Sequence, residues 1–281
     1  MNSPAASLPS PDQPIGVFDS GVGGLSVLRA IRQTLPFEPI LYLADQAHVP
    51  YGPRPLEEVR AFSASITRFL LDRGARLIVV ACNAASAAAL HSLRQEFPAI
   101  QFVGMEPAVK PAAETTHTGH VGVLATPATL RGSLYASVVE RFAHGVEIHE
   151  DPCPGLVEQI EKGDLDGSKP RAILERALRP MLAAQVDTVV LGCTHYPFVA
   201  PLIQSICGPG VQVIDPAPAV ARQAERLIKA SDWAAPGPRP GKVRYFTSGD
   251  PGELAKILQL WLGEAAAVTP LAWDGLNLKA A

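Results

Sequence analysis

Short apolar runs alternate with longer amphipathic stretches along the chain, and this rhythm organises everything else. Strand candidates, many of them short continuous apolar runs, fall at 15–18, 40–44, 77–81, 102–104, 121–125, 147–149, 188–192 and 211–214. Many are β-branched, as expected of parallel strands buried on both faces. Between them, apolar residues recur at helical spacing over 24–33, 56–73, 85–97, 130–142, 170–184, 218–230 and 252–262. The order strand, helix, strand, helix predicts an α/β protein: open, doubly wound parallel sheets with helices on both faces.

Two short stretches recur. Gly16-Val17-Phe18-Asp19 resembles Gly122-Val123-Leu124-Ala125, and Val79-Val80-Ala81-Cys82 resembles Val190-Leu191-Gly192-Cys193. Taken as coincidence they imply nothing. Taken as a repeat they imply two similar doubly wound domains related by a pseudo-twofold axis, with a cleft between them. The corresponding division is 14–105 with 215–265 as the first domain and 106–214 as the second. Residues 1–13, rich in Ser and Pro, read as a disordered tail, and 266–281 as a C-terminal tail.

Composition narrows the function classes. The chain has 281 residues, is 47% hydrophobic and 18% charged, and carries a net charge of −3. It can bury a core, and it shows no basic stripe for nucleic acid. No apolar run reaches the roughly 20 residues that span a bilayer, and the N-terminus lacks the pattern of a secretory signal. No membrane or nucleic-acid partner is expected. The four cysteines, Cys82, Cys153, Cys193 and Cys207, form no CxxC pair and lack zinc-site spacing, so no metal is expected. Free thiols in a cytoplasmic protein fit this usage best.

The candidate chemistry lies at strand ends. Cys82 follows the strand at 77–81 and opens a helix, a position that favours the thiolate and where open α/β sheets hold ligands. Cys193 ends the strand at 188–192 and precedes Thr194 and His195. Either cysteine alone reads equally well as core filler. Their matching contexts in two half-repeats favour a paired role. Asp19-Ser20-Gly21-Val22-Gly23-Gly24 is neither a dinucleotide nor a P-loop fingerprint. It can offer backbone N–H groups to a carboxylate, while Asp19 either orients a thiol or caps a turn. Val49–Pro53 forms a stiff loop carrying Tyr51 and Gly52, and Thr126 and Thr129 are equally plain as helix caps. Cys153 and Cys207 read as structural.

Two thiols facing one substrate suit a reaction at carbon. A Cα–H beside a carboxylate is a very weak acid. Removing it from one face and returning a proton to the other inverts the centre, with one thiolate accepting and one thiol donating.

Six motifs occur in order: GVFDSGVGGLSV, ADQAHVPYGPRP, VVACNAASAA, GVLATPATLRGSLY, CPGLVEQIEKG and VLGCTHYPF. Together they resemble the glutamate racemases of the cofactor-independent aspartate/glutamate racemase superfamily, from about Pro14 to Leu262. The resemblance implies an isomerase that interconverts L- and D-glutamate and supplies the D-form for peptidoglycan. It further implies a cytoplasmic enzyme without cofactor or metal, forming a homodimer. It implies Cys82 as the thiol for the D-enantiomer and Cys193 as that for the L-enantiomer. Asp19 and His195 are implied as their helpers, with Glu161 rather than Glu158 as a further catalytic residue. Substrate contacts are implied at Asp19, Ser20, Tyr51, Gly52, Asn83, Ala84, Thr126, Thr194 and His195. The sequence departs from the family at Ala84, where a threonine is usual, and at Gln46 and His48. An aspartate-selective racemase, a non-catalytic amino-acid-binding protein and a nucleotide-binding protein are the rival readings.

Overall fold

A computed structural model describes residues 13–231, 233–235, 237 and 240–280. Except for Gln13, the expected N-terminal tail lies outside the described residues. The elements run β1 (Ile15–Asp19), α1 (Leu25–Thr34), β2 (Ile40–Ala44), α2 (Leu56–Leu71), β3 (Leu77–Val80), α3 (Asn83–Glu96) and β4 (Gln101–Gly104). Next come α4 (Val109–Thr115), β5 (His120–Ala125), α5 (Pro127–Leu130), α6 (Ser133–Phe142), β6 (Glu147–Asp151), α7 (Leu156–Glu161) and α8 (Ser168–Ala183). The chain ends with β7 (Thr188–Gly192), α9 (Ala200–Cys207), β8 (Gln212–Ile214), α10 (Ala217–Ala230), β9 (Val243–Thr247), α11 (Pro251–Leu262), β10 (Val268–Asp274) and β11 (Asn277–Ala280).

These strands form two sheets. One has seven strands in the order β11-β10-β9-β2-β1-β3-β4, and the other has four in the order β6-β5-β7-β8. The order β2-β1-β3-β4 in the first matches β6-β5-β7-β8 in the second. The weak sequence repeat is therefore a repeat of topology, with β1 equivalent to β5 and β3 to β7. All pairings are parallel except β10 with β11. The central strands β1, β2, β3 and β7 are buried along their whole length. Their side chains are covered on both faces, which is why they lack period-two alternation.

Each sheet is covered on both sides. On one face of the larger sheet, Leu28 and Ile31 of α1 pack with Val220, Ala224 and Ile228 of α10. On the other face, Val59 and Ile66 of α2 pack with Ala85 and Leu93 of α3. In the smaller sheet, Leu156, Leu178 and Ile203 cover one face, and Val109, Tyr135 and Val138 cover the other. The helix expected over 130–142 is interrupted: α6 starts only after Gly132, which is extended at φ −72° and ψ 139°.

The reading of 266–281 as a tail is corrected. Strand β10 extends the larger sheet by pairing with β9, and β11 folds back on β10. Strand β9 itself lies between β2 and β10. Lys242 precedes it and Arg244 interrupts its apolar run, so the local pattern there is weak, and pairing with the buried β2 supplies the order. Asp250 caps α11 by accepting from the N–H groups of Gly252 and Glu253, worth about 1 kcal/mol. Among the described residues no helix is long and apolar enough to cross a membrane.

Candidate active site

Equivalent strands deliver the two thiols. Cys82 follows β3 and Cys193 follows β7, each at the carboxyl end of a central strand. They line one small cavity between the two sheets, with about 20 Å³ open to a water-sized body. Ser20, Tyr51, Gly52, Asn83 and Ala84 line it from the first sheet's side, and Thr126, Thr194 and His195 from the second's. Asp19 and Glu161 stand behind this lining. Pro50 and Val157 also line the cavity. The sequence placed Pro50 only in a stiff loop and gave no signal for Val157, an ordinary apolar residue of α7. Cys153 lies buried in the second core and Cys207 ends α9, away from the lining.

Asp19 ends β1 and is fully buried. Its Oδ2 accepts from the Gly24 N–H at 2.6 Å. Burial raises its pKa above the ordinary carboxylate value, opposed by the nearby His195 charge and the Gly24 N–H. Cys82 caps α3, where its Sγ accepts from the Ala85 N–H at 3.4 Å and donates to Ser20 Oγ at 3.8 Å. Burial, and then the Asp19 carboxyl, push this thiol well above its ordinary value, despite the Ala85 and Ser20 hydrogen bonds. The helix N-terminus does not prevail at Cys82, because desolvation opposes it.

The second thiol has a different neighbour. His195 Nδ1 lies 3.7 Å from Cys193 Sγ, and its Nε2 lies 2.5 Å from Glu161 Oε1. Burial alone would lower the histidine. The hydrogen bonds to Cys193 and Glu161, with the charge of Glu161, instead hold it well above its ordinary value. Burial would likewise raise Glu161, but His195 and the Val22 N–H, 2.8 Å from Oε1, hold it below the ordinary range. A chain thus runs from Cys193 through an imidazolium to a carboxylate. The imidazolium can stabilise negative charge arriving on Cys193.

The glycines of the Asp19–Gly24 loop are required by close approach. A Cβ on Gly23 would lie 2.4 Å from His195 Nδ1. One on Gly21 would overlap Glu161 Oε1. The loop on the first sheet's side thereby closes over the His195–Glu161 pair. Ser26 Oγ further donates to the Thr194 carbonyl at 3.0 Å.

One residue matters that the sequence did not single out. Asp45, fully buried after β2, accepts Tyr51 Oη at 2.6 Å, and its other oxygen accepts Trp273 Nε1 at 2.7 Å. Its partners lie in segments whose proximity no local pattern reveals. Asn83 was expected as a contact, but its state was not: both amide atoms are buried without a hydrogen-bond partner. Leaving such groups unpaired costs about 1–3 kcal/mol each, and in the cavity they offer a ligand one donor pair and one acceptor.

Two parallel α/β layers thus share a cleft with a differently supported thiol on each side. The family model for Asp/Glu/Hydantoin racemase matches residues 15–224. A glutamate racemase of Pseudomonas paraeruginosa is 51% identical over 92% of this chain and 97% of its own length. One from Roseiflexus sp. is 51% identical over 88% of this chain and 91% of its own length. Among solved structures, a glutamate racemase isoform from Bacillus anthracis superimposes with a TM-score of 0.83 at 33% identity, covering 94% of this chain and 98% of that one. The Escherichia coli glutamate racemase, solved with L-glutamate and an activator, gives 0.80 at 33% identity, covering 94% and 100%. The chain belongs to the Asp/Glu/Hydantoin racemase family, and it is an isomerase.

Proposed function

We propose that this protein is a glutamate racemase that supplies D-glutamate for peptidoglycan, acting in the cytoplasm as a homodimer and without a cofactor. The observation that carries the reading is the pair Cys82 and Cys193 on one cavity, at the ends of equivalent strands. Identity of 51% to glutamate racemases across nearly their whole length supports glutamate as the substrate.

Each thiol has its own proton partner. With L-glutamate, Cys193 as thiolate takes the α-proton, and the adjacent imidazolium of His195 steadies the sulfur before and after transfer. Cys82, kept as a thiol by burial, donates its proton to the opposite face of the α-carbon. Sulfur roles are then exchanged, and the reverse reaction starts from Cys82 with Asp19 beside it. The carbanionic charge that develops toward the substrate carboxylate is met by the Asn83 amide, the Thr194 and Ser20 hydroxyls and loop N–H groups. Tyr51 presents its ring to the cavity and its phenol oxygen retains acceptor capacity while donating to Asp45. Gly52 lets that loop approach Thr126, where a Cβ would meet the threonine side chain at 2.9 Å. The backbone N–H of Ala84 remains a donor where the usual hydroxyl is lacking.

A cavity of 20 Å³ holds about one water. Glutamate therefore enters when the two sheets separate, and closing around it excludes water from the reacting carbon.

Incubation of the purified protein with L-glutamate in D₂O, with no added cofactor, tests the reading. Optical rotation should decay to zero as deuterium appears at the α-carbon. Absence of both changes with glutamate would overturn it, and faster exchange with L-aspartate would reassign the substrate.

A further inference from the structure

A second cluster of metal-type ligands lies far from the thiols, on the edge of the smaller sheet. His120 opens β5, and its register partner on the edge strand β6 is Glu147; His149 follows two residues later, opposite Gly122. Register partners in a parallel pair point to the same face, as do residues two apart in a strand. All three side chains therefore share one face, and Gly122 places no side chain between the rings. The two imidazoles are half-buried and the carboxylate is exposed.

The spacing of the ligand atoms is informative. His120 Nδ1 and His149 Nε2 lie 3.2 Å apart. Glu147 Oε1 is 3.4 Å from His149 Nε2, and Oε2 is 3.7 Å from His120 Nδ1. One atom from each residue falls within 4.8 Å of the others. An ion with bonds of about 2.0–2.1 Å to nitrogen and oxygen, in tetrahedral geometry, holds its ligand atoms about 3.3 Å apart. The nitrogen–nitrogen separation and that from His149 to Glu147 Oε1 match this edge length, and a small rotation of the exposed carboxylate brings one oxygen to both rings.

We propose that His120, His149 and Glu147 form a binding site for a divalent borderline metal ion such as Zn²⁺ or Co²⁺. Two imidazoles and one carboxylate suit these ions and not the hard all-oxygen cations. Three protein ligands on a partly open face leave one position for water, so the ion exchanges readily and is not a sealed structural centre. The site sits at the amino end of β5, whereas Thr126 at the cavity follows its carboxyl end, roughly 20 Å along the strand. Bound metal would tie the edge strand β6 to β5 and stabilise the folded chain without touching the thiols.

The test uses full-length protein carrying Cys82→Ser and Cys193→Ser, which removes the competing sulfur ligands of the cavity. Titration with CoCl₂, followed by visible absorption and equilibrium dialysis, should show one ion per chain with a spectrum of nitrogen and oxygen ligation. His120→Ala and His149→Ala should each weaken binding by roughly tenfold or more, while His91→Ala on the exposed face of α3 should leave it unchanged. In the otherwise wild-type chain, the His120 and His149 variants should keep their activity and their circular dichroism in the presence of a chelator. ZnCl₂ should raise the melting temperature of the parent but not of these variants. Absence of one-to-one binding, or equal weakening by His91→Ala, would overturn the site.

Discussion

Trp273 on β10 donates its indole N–H to Asp45 at 2.7 Å, and Asp45 also holds the phenol of Tyr51 at 2.6 Å. A residue eight from the end of the chain thereby fixes a loop that lines the cavity. Ser248, just after β9, donates to the same carboxylate at 2.6 Å, and His48 lies 2.9 Å from it. The C-terminal strands are part of how the site is held.

That relationship makes the first prediction. Trp273→Phe keeps the aromatic packing and removes one hydrogen bond to a buried carboxylate, a loss of about 1.5–3 kcal/mol in urea unfolding. Asp45→Asn turns one acceptor into a donor facing other donors and should cost at least as much. Both should raise KM more than they lower kcat, because the cavity loop loosens while the thiols stay in place. Unaltered stability and KM in both variants would remove Asp45 from the account.

The two-thiol mechanism predicts a sharper outcome. Cys82→Ser and Cys193→Ser should each abolish racemisation, measured by polarimetry, since a serine hydroxyl is far too weak an acid–base partner. A glutamate analogue with a leaving group on its β-carbon needs only one base to eliminate. Each variant should then process one enantiomer of that analogue and not the other. Near-normal racemisation by either variant would exclude the scheme.

Gly23→Ala tests the closeness of the loop to His195. The added methyl would lie 2.4 Å from Nδ1, so the ring must shift. A displacement of this kind costs about a hundredfold in kcat. The melting temperature should fall little, separating misplacement from unfolding. Wild-type kcat would show that the ring position is not critical.

The His195–Glu161 pair predicts how stability varies with pH. Glu161 is held below its ordinary value of 4.5, so its contribution is present above that pH and lost as pH falls through the lowered value. His195 is held above its ordinary value of 6.5, so its contribution is full below that pH and lost as pH rises through the raised value. The pair therefore stabilises most between these limits. Glu161→Gln should cost about 3 kcal/mol near pH 6, where a buried partner is left unpaired. The gap to the wild type should narrow toward both pH extremes, read from melting temperatures across a pH series. A constant gap would mean that the two groups do not titrate as a pair.

The sequence by itself determined the class of fold and the two thiols. Strands such as β1, β3 and β7 are buried on both faces, and that burial is written locally as unbroken apolar runs. Cys82 and Cys193 were legible because each follows such a run. Glu161 was reached only through resemblance. Its meeting with His195, 34 residues away, depends on how α7 packs against the turn that follows β7. Where the local pattern was weak, tertiary structure decided. Strand β9 is ordered by pairing with β2, and β10 by pairing with β9, so the segment that reads as a tail supplies Trp273 to Asp45. The same holds for His120, Glu147 and His149, ordinary polar residues in sequence that a parallel register brings onto one face. Local periodicity records which side chains leave water; it does not record which distant groups they meet, and both the support of the thiols and the histidine cluster are made of such meetings.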